Sequence, residues 1–171
     1  ASAEETPAEL VPASVPGAVQ LDWAKAHNWA PYWKGENFRE YRWMEDKFWT
    51  YQTLLPEIGK GNAQRVFLVI RGVDYQFDIL LNGKVVHSQE GMFTPVRVEL
   101  TSQYRPGAQL LVRVHPAPKS VPSPDNRDQA NRSCKPGVSY GWDFHPRLIP
   151  LGIWDEAYIE TTPTAYVRNA E

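Results

Sequence analysis

Apolar and polar residues alternate along most of this chain with a period of two, the mark of strands that bury one face. Tyr75, Phe77, Ile79 and Leu81 alternate with Gln76, Asp78 and Leu80, and the run stops at Asn82 and Gly83, the dipeptide best suited to a two-residue hairpin turn. Residues 84–88 are then predicted as the returning strand. The same alternation puts Val66, Leu68 and Ile70 on one face and sets Val96, Val98 and Leu100 against Arg97 and Glu99. After a turn at Arg105, Pro106 and Gly107, it sets Leu110, Val112 and Val114 against Leu111, Arg113 and His115. Residues 48–53 open the series and residues 157–162 close it. Roughly seven or eight short strands separated by turn signals predict an all-β sandwich. One helical stretch of one or two turns is predicted within residues 19–27, where Val19, Leu21, Trp23, Ala24 and Ala26 would cover one end of that sandwich.

Residues 116–137 break the alternation. They carry Pro116, Pro118, Pro122, Pro124 and Pro136 among polar residues and have no apolar period. A structureless loop longer than ~12–15 residues in a compact domain is usually functional or disordered, and this one leads straight into the most distinctive run of the chain. Asp125, Asn126 and Asp128 lack the glycine and the distal bidentate glutamate of a calcium loop, so a solvated loop is expected there.

The distinctive run is residues 140–154, which gathers Trp142, Asp143, His145, Arg147 and Trp154 among prolines and glycines. An aromatic ring covers C–H surface, while a carboxylate and a guanidinium hydrogen-bond hydroxyls at fixed angles, a combination that suits a sugar. Trp142, Asp143, His145 and Arg147 are the candidate substrate-binding residues. Structural roles stay open beside this one: either indole as a core anchor, Asp143 paired with Arg147, His145 as exposed loop, and Arg147 tying a loop down through carbonyls and carboxylates.

Composition narrows the partners. The 171 residues carry a net charge of -2 with no Lys/Arg run, which excludes a basic face for nucleic acid or an anionic membrane. No apolar run approaches the ~20 residues of a membrane span, and the first residues have neither the basic nor the apolar region of a signal peptide. The single Cys134 forbids an internal disulfide and is read as a small packing residue or inert thiol. His27, His87, His115 and His145 show no metal-ligand spacing, and no phosphate loop or Gly-x-Ser-x-Gly is present, so neither metal nor cofactor is expected. Glycoside cleavage needs two carboxyls about 5 to 9.5 Å apart, yet nothing in the spacing of Glu45, Asp46, Asp143 and Asp155 singles out a pair. Glu45 and Asp46 are read as solvated charges. No catalytic residue is assigned.

Several motifs in order carry a resemblance: Val15 to Val19, Gly35-Glu36-Asn37, Trp43, Trp49-Thr50-Tyr51, Leu81-Asn82-Gly83, Gly91-Met92-Phe93 with Pro95, and Arg105-Pro106-Gly107. It culminates in Gly141-Trp142-Asp143, Pro146-Arg147 and Gly152-Ile153-Trp154. From about Val11 to Thr162 the chain resembles the opening of the family 2 glycoside hydrolases, and its Gly-Trp-Asp run is most similar to the β-mannosidase branch. The resemblance implies a jelly-roll, galactose-binding-like domain over residues 15–162, preceded by a tail (1–14) and followed by the start of a linker (163–171) to immunoglobulin-like and (β/α)8 barrel domains. The barrel holds the catalytic glutamates in that family, and 171 residues fall below the ~200 such a barrel needs. By position, the resemblance makes Trp142 and Asp143 the contribution to the rim of the sugar pocket. Where the branch reads Trp and Gly between the Asp and the Pro, this chain has Phe144 and His145, a change that bears on linkage or aglycone preference. The expected partners are a carbohydrate, a terminal β-linked sugar of the mannoside kind, and the enzyme's own further domains. A periplasmic or secreted setting fits by analogy without fixing the compartment. Two other functions stay open: an autonomous carbohydrate-binding module, and a structural domain that buttresses the barrel.

Overall fold

The computed structural model describes residues 9–58, 65–122 and 126–167. The strands are β1 (Trp49–Leu54), β2 (Arg65–Ile70), β3 (Val73–Asp74), β4 (Gln76–Leu81), β5 (Lys84–Glu90), β6 (Val96–Glu99), β7 (Gln109–Val114), β8 (Gly152–Ile153) and β9 (Ala157–Thr162). One antiparallel sheet has the order β1-β7-β4-β5 and a second has β6-β2-β9, with a short β3-β8 ladder beside them. The predicted all-β sandwich is what forms. Its core is built from the alternating inward residues: Phe77, Ile79 and Leu81 on β4 and Leu110, Val112 and Val114 on β7 meet Leu68 and Ile70 on β2. Asn82 and Gly83 turn the β4–β5 hairpin with φ of 48° and 79°, the double positive φ of a type I′ turn.

Three local departures from the predicted pattern have physical reasons. On β2 both faces are buried, because guanidinium groups shield the outer face: that of Arg97 lies 3.2 Å and that of Arg65 5.0 Å from the Phe67 ring centroid. Helix α1 (Val19–Ala26) forms as expected, but Leu21 and Ala26 face solvent while Gln20 and Asp22 turn inward. Gln20 is used there as a polar clamp, donating to Ile149 O at 2.8 Å and accepting from Leu151 N at 3.2 Å. A 3-10 helix, Asn37–Asp46, was not predicted. Its apolar positions Phe38, Tyr41 and Met44 repeat every three residues, the 3-10 period, which templates of 2.0 and 3.6 miss.

The long proline-rich segment is less open than its composition suggests. It holds a 3-10 turn, Arg127–Ala130, with Gln129 and Ala130 buried, and it is pinned from below by Lys135. The fully enclosed Lys135 ammonium donates to Asp74 Oδ1 at 2.6 Å and to Pro150 O at 2.7 Å. Burial raises the Asp74 carboxyl and lowers the Lys135 ammonium from their ordinary ranges, and each charge opposes that effect on the other. Cys134 beside it is exposed, not a packing residue. Asp125 of the calcium-like triplet lies outside the described residues.

Candidate functional site

The Trp142 loop is fixed at its base and open at its tip. A 3-10 turn, Gly137–Tyr140, leads in and buries Tyr140 completely, with its hydroxyl donating to Pro118 O at 2.6 Å. Burial pushes that phenol above its usual range. Gly141 follows at φ 112°, a backbone state that side chains with a Cβ rarely adopt, and it swings the chain outward. Leu148 N donates to Ser139 O at 3.0 Å and closes the base. At the far end Trp142 and His145 exchange backbone hydrogen bonds of 2.9 and 3.2 Å, leaving Asp143 and Phe144 as the two central residues of a tight turn. Both are exposed, Phe144 at 82%.

Arg147 stitches this loop to the rest of the fold. Its Nε lies 3.1 Å from both Glu45 oxygens, and its Nη2 donates to Glu45 Oε1 at 2.5 Å and to Gln129 Oε1 at 2.8 Å. Lys119 adds a second cation 3.1 Å from Glu45. One buried guanidinium therefore joins the Trp142 loop, the Asn37–Asp46 helix and the Arg127–Ala130 turn. Two expectations are corrected here. Glu45 is a buried hub instead of a solvated charge, and Asp143 is not the partner of Arg147. Asp46 stays exposed, 2.6 Å from Lys119. Of the two roles open for Arg147, its contacts describe the loop-tying one.

Neither indole of the run is a core anchor, with Trp142 exposed at 42% and Trp154 at 40%. Trp142 is backed by the Arg127 guanidinium, 3.9 Å from the ring centroid, a contact that holds the ring while leaving indole surface free. Trp154 serves another place: its Nε1 donates to Met92 O at 3.1 Å, its ring meets Phe93 edge-on, and it lies so close over Gly72 that a Cβ there would come within 2.3 Å of it. His145 is half-buried beneath the tip, and its enclosed Nδ1 has no hydrogen-bond partner among the described residues.

Trp142, Asp143 and His145 are thus brought together on one tight turn, with Arg147 underneath as its tether. Arg127, Glu45 and Gln129 were missed as parts of this assembly. Chemically the tip offers an aromatic face, a solvent-facing carboxylate and an imidazole. Among the described residues no group of three or more His, Cys, Asp and Glu could hold a metal ion.

A family model described as the glycosyl hydrolase 2 galactose-binding domain-like family matches residues 1–155. Among curated proteins, β-mannosidase B of Emericella nidulans is 31% identical over 144 residues, covering 74% of this chain and 17% of that protein. A solved β-D-mannosidase from Dictyoglomus thermophilum superposes with a TM-score of 0.77 at 27% identity, covering 88% of this chain and 20% of that one. The exo-chitosanase of Amycolatopsis orientalis, at 18% identity and a TM-score of 0.64, covers 90% of this chain and 17% of its own, and shares the fold. The chain spans only 17 to 20% of the length of the curated relatives it matches.

Proposed function

This chain belongs to the glycosyl hydrolase 2 galactose-binding domain-like family, and on that premise we propose that it is the non-catalytic domain that lends one wall of the sugar pocket to a β-mannosidase-like exo-glycosidase. The observation that carries this reading is the Asp143 turn. A carboxylate with no partner among the described residues stands at the tip of a loop whose base is held by a buried ion pair, so the loop is built up to the carboxylate without using it. In the assembled enzyme Asp143 accepts hydrogen bonds from sugar hydroxyls, and Trp142 walls the pocket. The catalytic carboxylates belong to domains outside these residues. A terminal β-linked mannoside is the proposed substrate, on the likeness to the two mannosidases.

The test is Asp143→Ala in the full-length enzyme. A charge-assisted bond in a dry site contributes roughly 1.5–3 kcal/mol, so kcat/KM falls about ten- to a hundredfold or more. The melting temperature stays within about a degree, because Asp143 supports nothing in the fold. Near-wild-type kcat/KM would remove Asp143 from the pocket.

A further inference from the structure

The two central residues of the Trp142 turn differ in kind. Asp143 is a residue that tight turns favour, while a phenyl ring at the next position meets no requirement of turn geometry. Nor does packing call for it. Phe144 is 82% exposed, the most exposed of the large apolar side chains among the described residues. It forfeits the burial that ordinarily stabilises such a ring. The other aromatic residues beside the turn are engaged: Trp142 carries the Arg127 guanidinium 3.9 Å from its ring centroid, and Tyr140 is fully buried with its hydroxyl donating to Pro118 O.

The backbone that presents this ring is nevertheless well held. Bonds of 2.9 and 3.2 Å close the turn between Trp142 and His145, and Arg147 below them is buried against Glu45 and Gln129. A phenyl side chain has few rotatable bonds, so on a tethered turn it loses little freedom when a ligand covers it. Adjacent Cα atoms are ~3.8 Å apart, which puts the covalent neighbour of a group bound by the Asp143 carboxylate within reach of the Phe144 ring. An exo-acting glycosidase encloses the terminal sugar and leaves the leaving group at the mouth of its pocket. With Asp143 on the terminal sugar, the side chain that protrudes furthest from the same turn meets that leaving group.

We propose that Phe144 is a leaving-group platform, a specificity-determining residue whose ring stacks on the unit bonded to the terminal sugar and favours leaving groups that carry a ring. The inference rests on the pocket-wall reading of Asp143 and extends it from the sugar that is released to the group it is released from. A second sugar ring and an aryl group share the required chemistry, a flat C–H or π face that covers the phenyl ring, which a methyl leaving group lacks.

Phe144→Ala and Phe144→Trp in the full-length enzyme test it, with kcat/KM measured on methyl β-mannoside, a β-linked mannobiose and phenyl β-mannoside. The quantity read is kcat/KM on each ring-bearing substrate relative to that on the methyl glycoside. In Phe144→Ala this ratio falls about three- to tenfold for at least one ring-bearing substrate, and which one falls identifies the ring as sugar or aryl. Phe144→Trp retains the ratio. Asp143→Ala lowers kcat/KM on all three substrates and keeps the ratios within about twofold. Ratios in Phe144→Ala within about 1.5-fold of wild type overturn the platform. If Asp143→Ala still lowers all three rates, the Asp143 wall stands without it; if Asp143→Ala is also inert, the wall falls too. An equal loss on all three substrates, or a lowered melting temperature with unchanged ratios, likewise overturns the platform and gives Phe144 to the support of the loop or to a contact with another domain.

Discussion

Arg147 and Glu45 do for the loop what no residue near the tip can do. Both are buried, and they lie 102 positions apart. Removing one partner leaves the other as an uncompensated buried charge, at a cost of roughly 3–5 kcal/mol. Arg147→Met is therefore expected to lower the melting temperature by about 6–20 °C, at ~2–4 °C for each kcal/mol in a chain of this size. Lys119 keeps one cation near Glu45, which places the effect toward the lower end. Thermal unfolding of the variant checks this, and a shift of less than about 2 °C would deny Arg147 its tethering role. The contrast with Asp143→Ala, which changes kinetics and not melting, separates the contact from its support. Sequence alone pointed to the exposed residues, because the motif carrying the resemblance contains them. The support was invisible there: an ion pair across that separation leaves no local spacing, and Glu45 has the composition of an ordinary surface carboxylate. Arg127 was hidden for the same reason, since its partner Trp142 belongs to another segment.

At the scale of elements, the strands were legible wherever one face is wet and the other dry. β7 obeys the period of two, β4 does so through Ile79 before Leu80 is buried as well, and the Asn82-Gly83 turn follows from its own backbone requirement. The pattern failed where polar side chains do the covering, as on β2 under its guanidinium groups and on α1 with inward Gln20 and Asp22. It also failed for the Asn37–Asp46 helix, whose period is three. The β2–β6 pair carries a pH signature. Hydrogen bonds from Arg65 and then Thr101 hold the Glu99 carboxyl down at about 2, against an ordinary 4.5. A depressed carboxylate stabilises the fold above its unfolded pKa and loses that contribution as pH falls through the folded one. Glu99→Gln is expected to flatten the decline of melting temperature between pH 4.5 and about 2. Glu99 is solvent-exposed, so the change is modest and fades at high salt. Parallel melting curves for the two proteins over that range would contradict the assignment.

For the whole molecule, the sandwich is a scaffold that presents the Trp142 loop, and the proposed contribution to a larger enzyme accounts for a site that stands open. The tip has a carboxylate and an aromatic wall, both exposed to solvent. Residues 1–171 alone are expected not to hydrolyse aryl β-mannosides, β-galactosides or β-glucuronides. Turnover that persists through further purification would place catalytic carboxylates within this chain. An autonomous binding module, by contrast, needs a complete site of its own. The measurement that separates it from a contributed wall is calorimetric titration of mannose into residues 1–171 and into the full-length enzyme. A shared pocket predicts a Kd for the domain alone of ~1 mM or weaker, no more than ~4 kcal/mol, with at least about tenfold tighter binding in the full-length protein. Micromolar binding by residues 1–171, equal in the two proteins, would contradict it.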